Sequence, residues 1–340
     1  MAFQQRKGIK THHIGKEDLI MLKPIIGTWF EFRHHNTAEG KYWNNLCKNF
    51  TTEQWSEKIE EIASLGMKYM VLMCTSLVQE DEAESYFETD IFPKADMVCP
   101  DPMGTMFDAA DKYGINIFVS CGFYGVWTES DNNFTSIEVE KRAFKAMKQV
   151  YDKYGHHKSF YGWYFSDEAW IKTYFDEPFI DYVNRYSAYA HTITPSLKTL
   201  IAPYGTNSVV ADEKYIDQLK RMDVDIIAYQ DEVGVKKSTY LQTPEYYKTI
   251  REAHDAANCS AFWADMEIFT FEDEVYKSAL LPADSARVQK QLEAISPYVD
   301  VILCYQYQGM VNKPGTSAYC GAPGSEELYN FIKLHNEKYN

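Results

Sequence analysis

Two acidic residues follow a run of aromatic residues near the middle of the chain, and a tryptophan comes soon after them. The run covers residues 159–165, and Asp167, Glu168 and Trp170 lie just beyond it. A continuous aromatic run of this length is typical of a strand that is covered on both faces. The C-terminal ends of such strands are where barrel enzymes hold their catalytic groups. The alternative is that both acids cap the next helix or face water.

A second acidic group ends another apolar run. Residues 260–267 contain Trp263 and Asp265 and end in Glu267. Hydrolysis of a glycosidic bond needs one carboxyl group that protonates the leaving oxygen and a second that attacks the sugar or activates water. Glu168 and Glu267 are the candidates for this pair of carboxyl groups.

Eight strand-like segments alternate with helix-like segments, and this alternation predicts the fold that would position these acids. Alternation of this kind requires a parallel sheet, and eight units predict a single-domain (β/α)₈ TIM barrel over residues 24–340, after a polar N-terminal lead over residues 1–23. An open doubly wound sheet is the alternative, but the GxGxxG turn that usually accompanies it is absent. The predicted strands cover residues 24–32, 67–76, 115–124, 159–166, 199–204, 224–231, 260–267 and 299–308.

In a barrel, the C-terminal ends of all strands meet at one rim. The rim of this chain combines acids with aromatic and amide side chains, which suits a sugar, because sugar rings present C–H faces to aromatics and hydroxyls to carboxylates and amides. Besides Glu168 and Glu267, we expect ten rim residues and Trp263 to bind substrate. The ten are Glu31, Trp127, Asp167, Trp170, Tyr204, Tyr229, Gln230, Asp231, Asp265 and Tyr307.

The composition argues against several other classes of protein. The formal net charge of −15 would repel a phosphate backbone, and no basic stripe or phosphate-binding glycine loop is present, so we expect no nucleic-acid partner. The seven cysteines form no CxxC pair, and most lie in or beside apolar runs, which predicts buried thiols and neither a disulfide framework nor a zinc site.

No apolar run reaches the roughly 18 residues of a membrane span, so we expect a soluble protein. Residues 1–23 lack the apolar segment of a signal peptide. We expect a secreted or periplasmic location, with the signal removed beforehand, and the cytoplasm as the alternative. The sequence does not indicate an oligomeric state.

Several short motifs give the chain a resemblance to known families. They are Gly27–Phe30, Gly66-Met67, Gly162–Tyr164 with Glu168, Tyr229–Asp231 with Gly234, and Trp263–Glu267. With acids on strands four and seven, the chain resembles the clan A retaining glycoside hydrolase barrels. Over residues 24–338 it most resembles a bacterial family of glycosyl-hydrolase-like barrels, domain of unknown function 4434.

The resemblance implies roles for the two glutamates. Glu168 would be the general acid/base and Glu267 the nucleophile of a retaining glycosidase, and Tyr229 could hydrogen-bond that nucleophile. Asp265 competes with Glu267, because residues i and i+2 of a strand share a face, and Glu267 is favoured because it lies nearer the rim. Clan A enzymes usually have asparagine, which binds the sugar 2-hydroxyl, at the position of Asp167.

Two other functions remain open. A barrel that binds glycans without cleaving them would explain Asp167 in place of asparagine. A sugar isomerase barrel is less favoured, because the acids lack histidines at the spacing of metal ligands. We expect a carbohydrate substrate and no metal or cofactor.

Overall fold

The computed structural model describes residues 22–339. Eight parallel strands close into a barrel in which each strand pairs with its sequence neighbours and the last pairs with the first. The predicted TIM barrel is therefore confirmed, with strands shorter than predicted at their ends. The strands are β1 (Ile25–Phe30), β2 (Tyr69–Leu72), β3 (Asn116–Ser120), β4 (Phe160–Tyr164), β5 (Lys198–Ile201), β6 (Ile226–Gln230), β7 (Ala261–Glu267) and β8 (Val301–Tyr305).

A helix follows each strand and lies outside the barrel, as the right-handed crossovers of parallel strands require. The first begins at a capping box, in which the Thr51 side chain accepts a hydrogen bond from the backbone of Gln54 and the Gln54 side chain accepts one in return. The helices are α1 (Thr52–Ser64), α2 (Pro102–Tyr113), α3 (Ile137–Tyr154), α4 (Glu177–Ile193), α5 (Glu213–Arg221), α6 (Thr243–Ala257), α7 (Ser285–Ile295) and α8 (Ser325–Tyr339).

Two antiparallel hairpins extend the loops at the C-terminal end of the barrel. One follows β2 and pairs Ser76–Val78 with Ala83–Ser85, and the other follows β7 and pairs Phe269–Phe271 with Leu280–Pro282. The loop after β1 contains a short helix, Asn44–Lys48. The loop after β1 and the hairpin after β7 contribute residues to the wall around the rim on which the predicted site lies.

Aromatic side chains fill the barrel interior below the rim. The Trp263 ring lies 5.0 Å from the Tyr69 ring and 6.0 Å from the Phe118 ring, measured between centroids. Nearer the rim, the Trp29 ring meets the Tyr164 ring edge-on at 6.1 Å. Trp263 is therefore a core residue at the start of β7, and its prediction as a sugar platform is wrong.

The predicted polar lead, residues 1–23, falls outside the described residues except for its last two. Lys23 forms hydrogen bonds with Ser296 through its backbone and side-chain nitrogens. Within residues 22–339, none of the helices combines the length and the apolar character needed to cross a membrane.

The close approach of β4 and β5 predicts that Gly162→Ala destabilises the fold. A methyl group at Gly162 would lie 2.5 Å from the backbone oxygen of Lys198, which cannot move without disturbing the sheet. We expect a loss of about 2 kcal/mol or more in the free energy of unfolding, measured by urea denaturation. The control is Gly315→Ala, where φ is +79° but no atom lies within 4 Å, with an expected loss of about 1 kcal/mol. Equal losses in both variants would contradict the steric explanation.

Candidate active site

A cavity of about 500 Å³ opens at the C-terminal end of the barrel. Barrel enzymes carry their active sites at this end. Its wall combines carboxyl groups with aromatic rings, and its principal lining residues are His35, Asn36, Glu39, Phe123, Trp127, Ser166, Glu168, Tyr204, Gln230, Glu232, Lys237, Asp265, Glu267, Phe269, Tyr276 and Tyr305.

Glu168 lies four residues beyond the end of β4 and is partly buried in the cavity wall. The hydroxyl of Tyr164 donates a hydrogen bond of 3.3 Å to Oε1 of Glu168. Burial raises the pKa of Glu168 to about 7, although hydrogen bonds from Gln230 and Tyr164 oppose the rise. This carboxyl group can therefore hold a proton near neutral pH, as a general acid must.

Glu267 is the last residue of β7, and its buried side chain also lines the cavity. Its Oε2 accepts a hydrogen bond of 2.8 Å from the backbone N–H of Val235. The chain approaches so closely here that a Cβ on Gly234 would lie 2.9 Å from Oε2. Burial and then the charge of Asp231 raise the pKa of Glu267 above its ordinary value, while Arg287 and the Val235 N–H lower it.

Asp231 supports Glu267 from behind and does not line the cavity. Its Oδ1 accepts hydrogen bonds from the backbone N–H groups of Glu267 at 3.1 Å and Val233 at 3.2 Å. Its Oδ2 accepts one from the side chain of Gln291 at 2.7 Å. The predicted contact between Asp231 and substrate is therefore wrong, because all these bonds hold the carboxyl group outside the barrel interior.

Asp265 lies two residues before Glu267 and faces the same cavity. The side chain is only 2% exposed, yet within residues 22–339 its carboxyl group forms no hydrogen bond, and Oδ1 is fully buried. Burial raises its pKa well above the ordinary value, and the charges of Glu168, Glu267 and Asp231 raise it further. Buried polar groups normally have a partner, so this carboxyl group is exceptional.

A lysine and two tyrosines form the cavity wall beside Glu232. The Glu232 carboxylate accepts hydrogen bonds from the backbone of Gly205 at 2.9 Å and the hydroxyl of Thr206 at 3.1 Å. The Lys237 ammonium lies 3.8 Å from Oε1 of Glu232 and above the rings of Tyr204 and Tyr276, at 4.9 and 5.7 Å from their centroids.

The loop after β1 contributes Glu39 to the cavity through a buried histidine. His34 contacts both oxygens of Glu31 through Nδ1 at 3.0 Å and Oε2 of Glu39 through Nε2 at 3.1 Å. Burial alone would lower the pKa of His34, but the two carboxylates raise it to about 10, so the ring is a cation. Glu31 also accepts hydrogen bonds from Trp43 and Gln306 and lies behind the wall, so its predicted contact with substrate is wrong.

Three residues at the start of the same loop have side chains of the types that bind metal ions. Donor atoms of Glu31, His34 and His35 lie within 4.8 Å of one another. Both ring nitrogens of His34 already face carboxylates, and a protonated imidazole has no lone pair for a metal. The arrangement fits an ion-pair network better than a metal site.

Three further predicted contacts are wrong for a common reason, which is that neighbouring residues of an extended chain face opposite sides. Asp167 faces away from the cavity, where Oδ1 accepts a hydrogen bond of 2.9 Å from Asn133. The Tyr229 hydroxyl contacts Tyr215 at 2.7 Å and His254 at 3.0 Å, so it does not reach Glu267. The Tyr307 hydroxyl donates to Glu61 of α1 at 3.0 Å.

Trp170 lies on the rim outside the cavity. Its side chain is 50% exposed, its backbone pairs with Tyr204, and the Lys172 ammonium lies 5.3 Å from its ring. The cavity wall thus brings together Trp127, Glu168, Tyr204, Gln230, Asp265 and Glu267 of the predicted site residues.

Sequence reasoning missed lining residues that come from long loops. Glu39 and His35 follow β1, Lys237 follows β6, and Tyr276 belongs to the hairpin after β7. No periodicity marks these positions. The only available signal was their place after the C-terminal end of a predicted strand.

The profile of a family described as "Domain of unknown function (DUF4434)" matches residues 25–318. The chain belongs to this family. No curated protein matches the sequence.

Three solved structures to which the chain is similar are named as glycoside hydrolases. A "putative alpha-L-fucosidase" from Bacteroides thetaiotaomicron aligns over 99% of both chains, with a TM-score of 0.69 and 16% identity. An endo-β-1,4-mannanase from Thermotoga petrophila aligns over 94% of the present chain and 77% of the mannanase chain, with a TM-score of 0.58 and 10% identity. An endo-1,4-β-mannanase from Rhizomucor miehei aligns over 94% and 95%, with a TM-score of 0.59 and 10% identity.

The raised pKa of Glu168 predicts a pH-dependent gain of stability in Glu168→Gln. The folded protein holds this proton up to about pH 7, whereas a glutamate in the unfolded chain releases it near pH 4.5, so the wild type loses stability as pH rises between these values. We expect the variant to be more stable than the wild type by about 3 kcal/mol at pH 8 and about equally stable at pH 4.

Urea denaturation at both pH values measures this difference. The matched control is Glu80→Gln, at an exposed position, which should shift stability equally little at both pH values. A Glu168→Gln variant that loses stability in parallel with the wild type up to pH 8 would show that burial does not raise this pKa.

Proposed function

We propose that this protein is a retaining glycoside hydrolase in which Glu168 is the general acid/base and Glu267 the nucleophile. The observation that carries the proposal is that carboxyl groups after β4 and at the end of β7 line one cavity, and that Glu168 keeps its proton near neutral pH. Retaining glycosidases need two such groups with different protonation states.

In the first step, the carboxylate of Glu267 forms a bond to the anomeric carbon of the sugar. The bond from that carbon to the leaving oxygen breaks, and Glu168 transfers its proton to this oxygen. In the second step, Glu168 takes a proton from water while the water oxygen attacks the anomeric carbon. The bond to Glu267 breaks, and both carboxyl groups return to their starting states.

Glu267 must be ionised when it attacks, and two neighbours favour that state, although burial and the charge of Asp231 raise its pKa on balance. The Val235 N–H donates to its carboxylate, and the positive charge of Arg287 lowers its pKa. The Arg287 guanidinium is itself held in place by the backbone oxygens of Glu267 and Phe269, at 3.0 and 2.6 Å. A sugar that displaces water from the cavity would strengthen these interactions.

The rest of the cavity wall offers the contacts that a sugar requires. The rings of Trp127, Tyr204, Tyr276 and Tyr305 provide apolar faces, and Gln230 and other polar side chains can exchange hydrogen bonds with hydroxyl groups. The names of the structural neighbours, a fucosidase and two mannanases, support a carbohydrate substrate.

Substitution of the two glutamates should affect substrates with good and poor leaving groups differently. We expect Glu168→Gln to lower kcat about 10²–10⁴-fold on natural glycosides. On aryl glycosides whose leaving group needs no proton, the first step should stay fast, so a burst of phenolate should precede slow turnover, because Glu168 also activates the water of the second step. Glu267→Gln should lose activity on both, because the covalent step then has no nucleophile.

Released reducing ends and released phenolate measure these rates on a broad glycan panel. Asp167→Asn is the control, since this neighbouring acid faces Asn133 and should keep wild-type rates. If both glutamine variants cleaved at wild-type rates, the proposed roles would be wrong. Glycan affinity without any released reducing ends from the wild type would instead favour a barrel that only binds glycans.

Trapping of the covalent intermediate should identify the nucleophile. We expect 2-deoxy-2-fluoro glycosides with good leaving groups to label Glu267, because it ends β7 and its carboxylate is stabilised by a backbone N–H. Peptide mass spectrometry locates the label. A label on Asp265 would reverse the assignment, and a product of inverted anomeric configuration, detected by proton NMR, would exclude the retaining mechanism.

A further inference from the structure

The carboxyl group of Asp265 is the one acid of the cavity wall to which residues 22–339 provide no hydrogen bond. Glu39 is held by His34 and Asn36, and Glu267 by Val235. Glu168 and Glu232 likewise accept hydrogen bonds from neighbouring residues. Because a buried and unpartnered carboxyl group is costly, a ligand that enters the cavity and forms a hydrogen bond with Asp265 would relieve that cost.

The charges of the cavity wall indicate which kind of partner fits. The lining residues of the described chain include the five acids Glu39, Glu168, Glu232, Asp265 and Glu267, but only one lysine. Lys237 lies beside Glu232, and His34 is shared between Glu39 and Glu31. Neither cation is paired with Asp265, and the formal net charge of −15 would also attract a cation toward the protein.

A neutral sugar would give Asp265 hydrogen bonds but no cation, so this carboxyl group would keep its proton. An ammonium group would supply both a donor and a positive charge, and charge-assisted hydrogen bonds are about twice as strong as neutral ones. An N-acetyl group would remove the charge, and a uronate would add negative charge to the wall.

We propose that the sugar bound in this cavity carries a free amino group and that its ammonium binds the carboxylate of Asp265. This inference rests on the proposed glycosidase function and assigns the substrate class as an amino-sugar glycoside. Asp265 is then the residue that determines specificity, distinct from Glu168 and Glu267. Burial and the charges of Glu168 and Glu267 hold a proton on Asp265 in the empty cavity, and an arriving ammonium would allow it to ionise.

Matched pairs of ligands test this inference. The probes are the methyl glycosides of glucosamine, galactosamine and mannosamine, each compared with its parent hexose and its N-acetyl derivative. We expect at least one amino sugar to bind at least 10-fold more tightly than both of its partners in isothermal titration calorimetry at pH 6.5 and low salt. The preference should shrink at high salt, because it arises from charge.

Asp265→Asn should abolish the preference, and Asp131→Asn is the control. Asp131 is an exposed acid that does not line the cavity, so its substitution makes the same chemical change without loss of the contact. Thermal unfolding of both variants verifies that they fold. Asp265→Asn should not lower stability at pH 8, because it removes a buried acid that has no hydrogen-bond partner.

An absent preference in all three sugar series, including the absence of any measurable binding, would overturn the inference. So would a preference that survives in Asp265→Asn. Such outcomes leave the proposed hydrolysis intact if the wild type still releases reducing ends from neutral glycans and Glu168→Gln does not. If the wild type released no reducing ends either, the proposed glycosidase function itself would be wrong.

Discussion

Neighbouring residues on each barrel strand face opposite directions, and this alternation decides which acids reach the cavity. On β7, Trp263, Asp265 and Glu267 face inward at successive levels, so the first packs in the core and the other two line the cavity. After β4, Glu168 reaches the cavity while Asp167 contacts Asn133. The chemistry at the rim therefore depends on strand register, because a shift of one residue would turn every acid to the other face.

The collection of so many acids in one partly enclosed space has an energetic cost. Carboxylates that leave water must be hydrogen-bonded, paired with a cation or protonated. All three solutions occur here, since Val235 donates to Glu267, His34 pairs with Glu39, and burial keeps a proton on Glu168 near neutral pH. Such sites trade stability for function, so removal of an acid is expected to stabilise the folded state wherever its pKa is raised.

The barrel could be predicted from the sequence because each strand and helix carries its own local pattern. The acids at the strand ends could also be predicted, since the fold gathers these ends at one rim. The orientation of single side chains could not, and this is why Tyr229 and Asp167 were expected in the cavity although both face away. Glu39 and Tyr276 were not predicted, because the sequences of their long loops have no periodic pattern of apolar residues and tertiary contacts determine where these loops lie.

One such set of contacts joins the loop after β1 to the hairpin after β7. The Asn36 side chain donates to Oε1 of Glu39 at 2.7 Å and to the backbone oxygen of Tyr276 at 3.1 Å, and the backbone N–H of Leu280 donates to the backbone oxygen of Glu39 at 3.1 Å. His34 fixes the other oxygen of the Glu39 carboxylate from within the protein. Glu39 and Tyr276 thus belong to one continuous wall, in which the buried His34 cation links strand β1 to the mouth of the cavity. A sugar that enters the cavity would meet a wall that is already assembled, so little of its binding energy would be spent on ordering these loops.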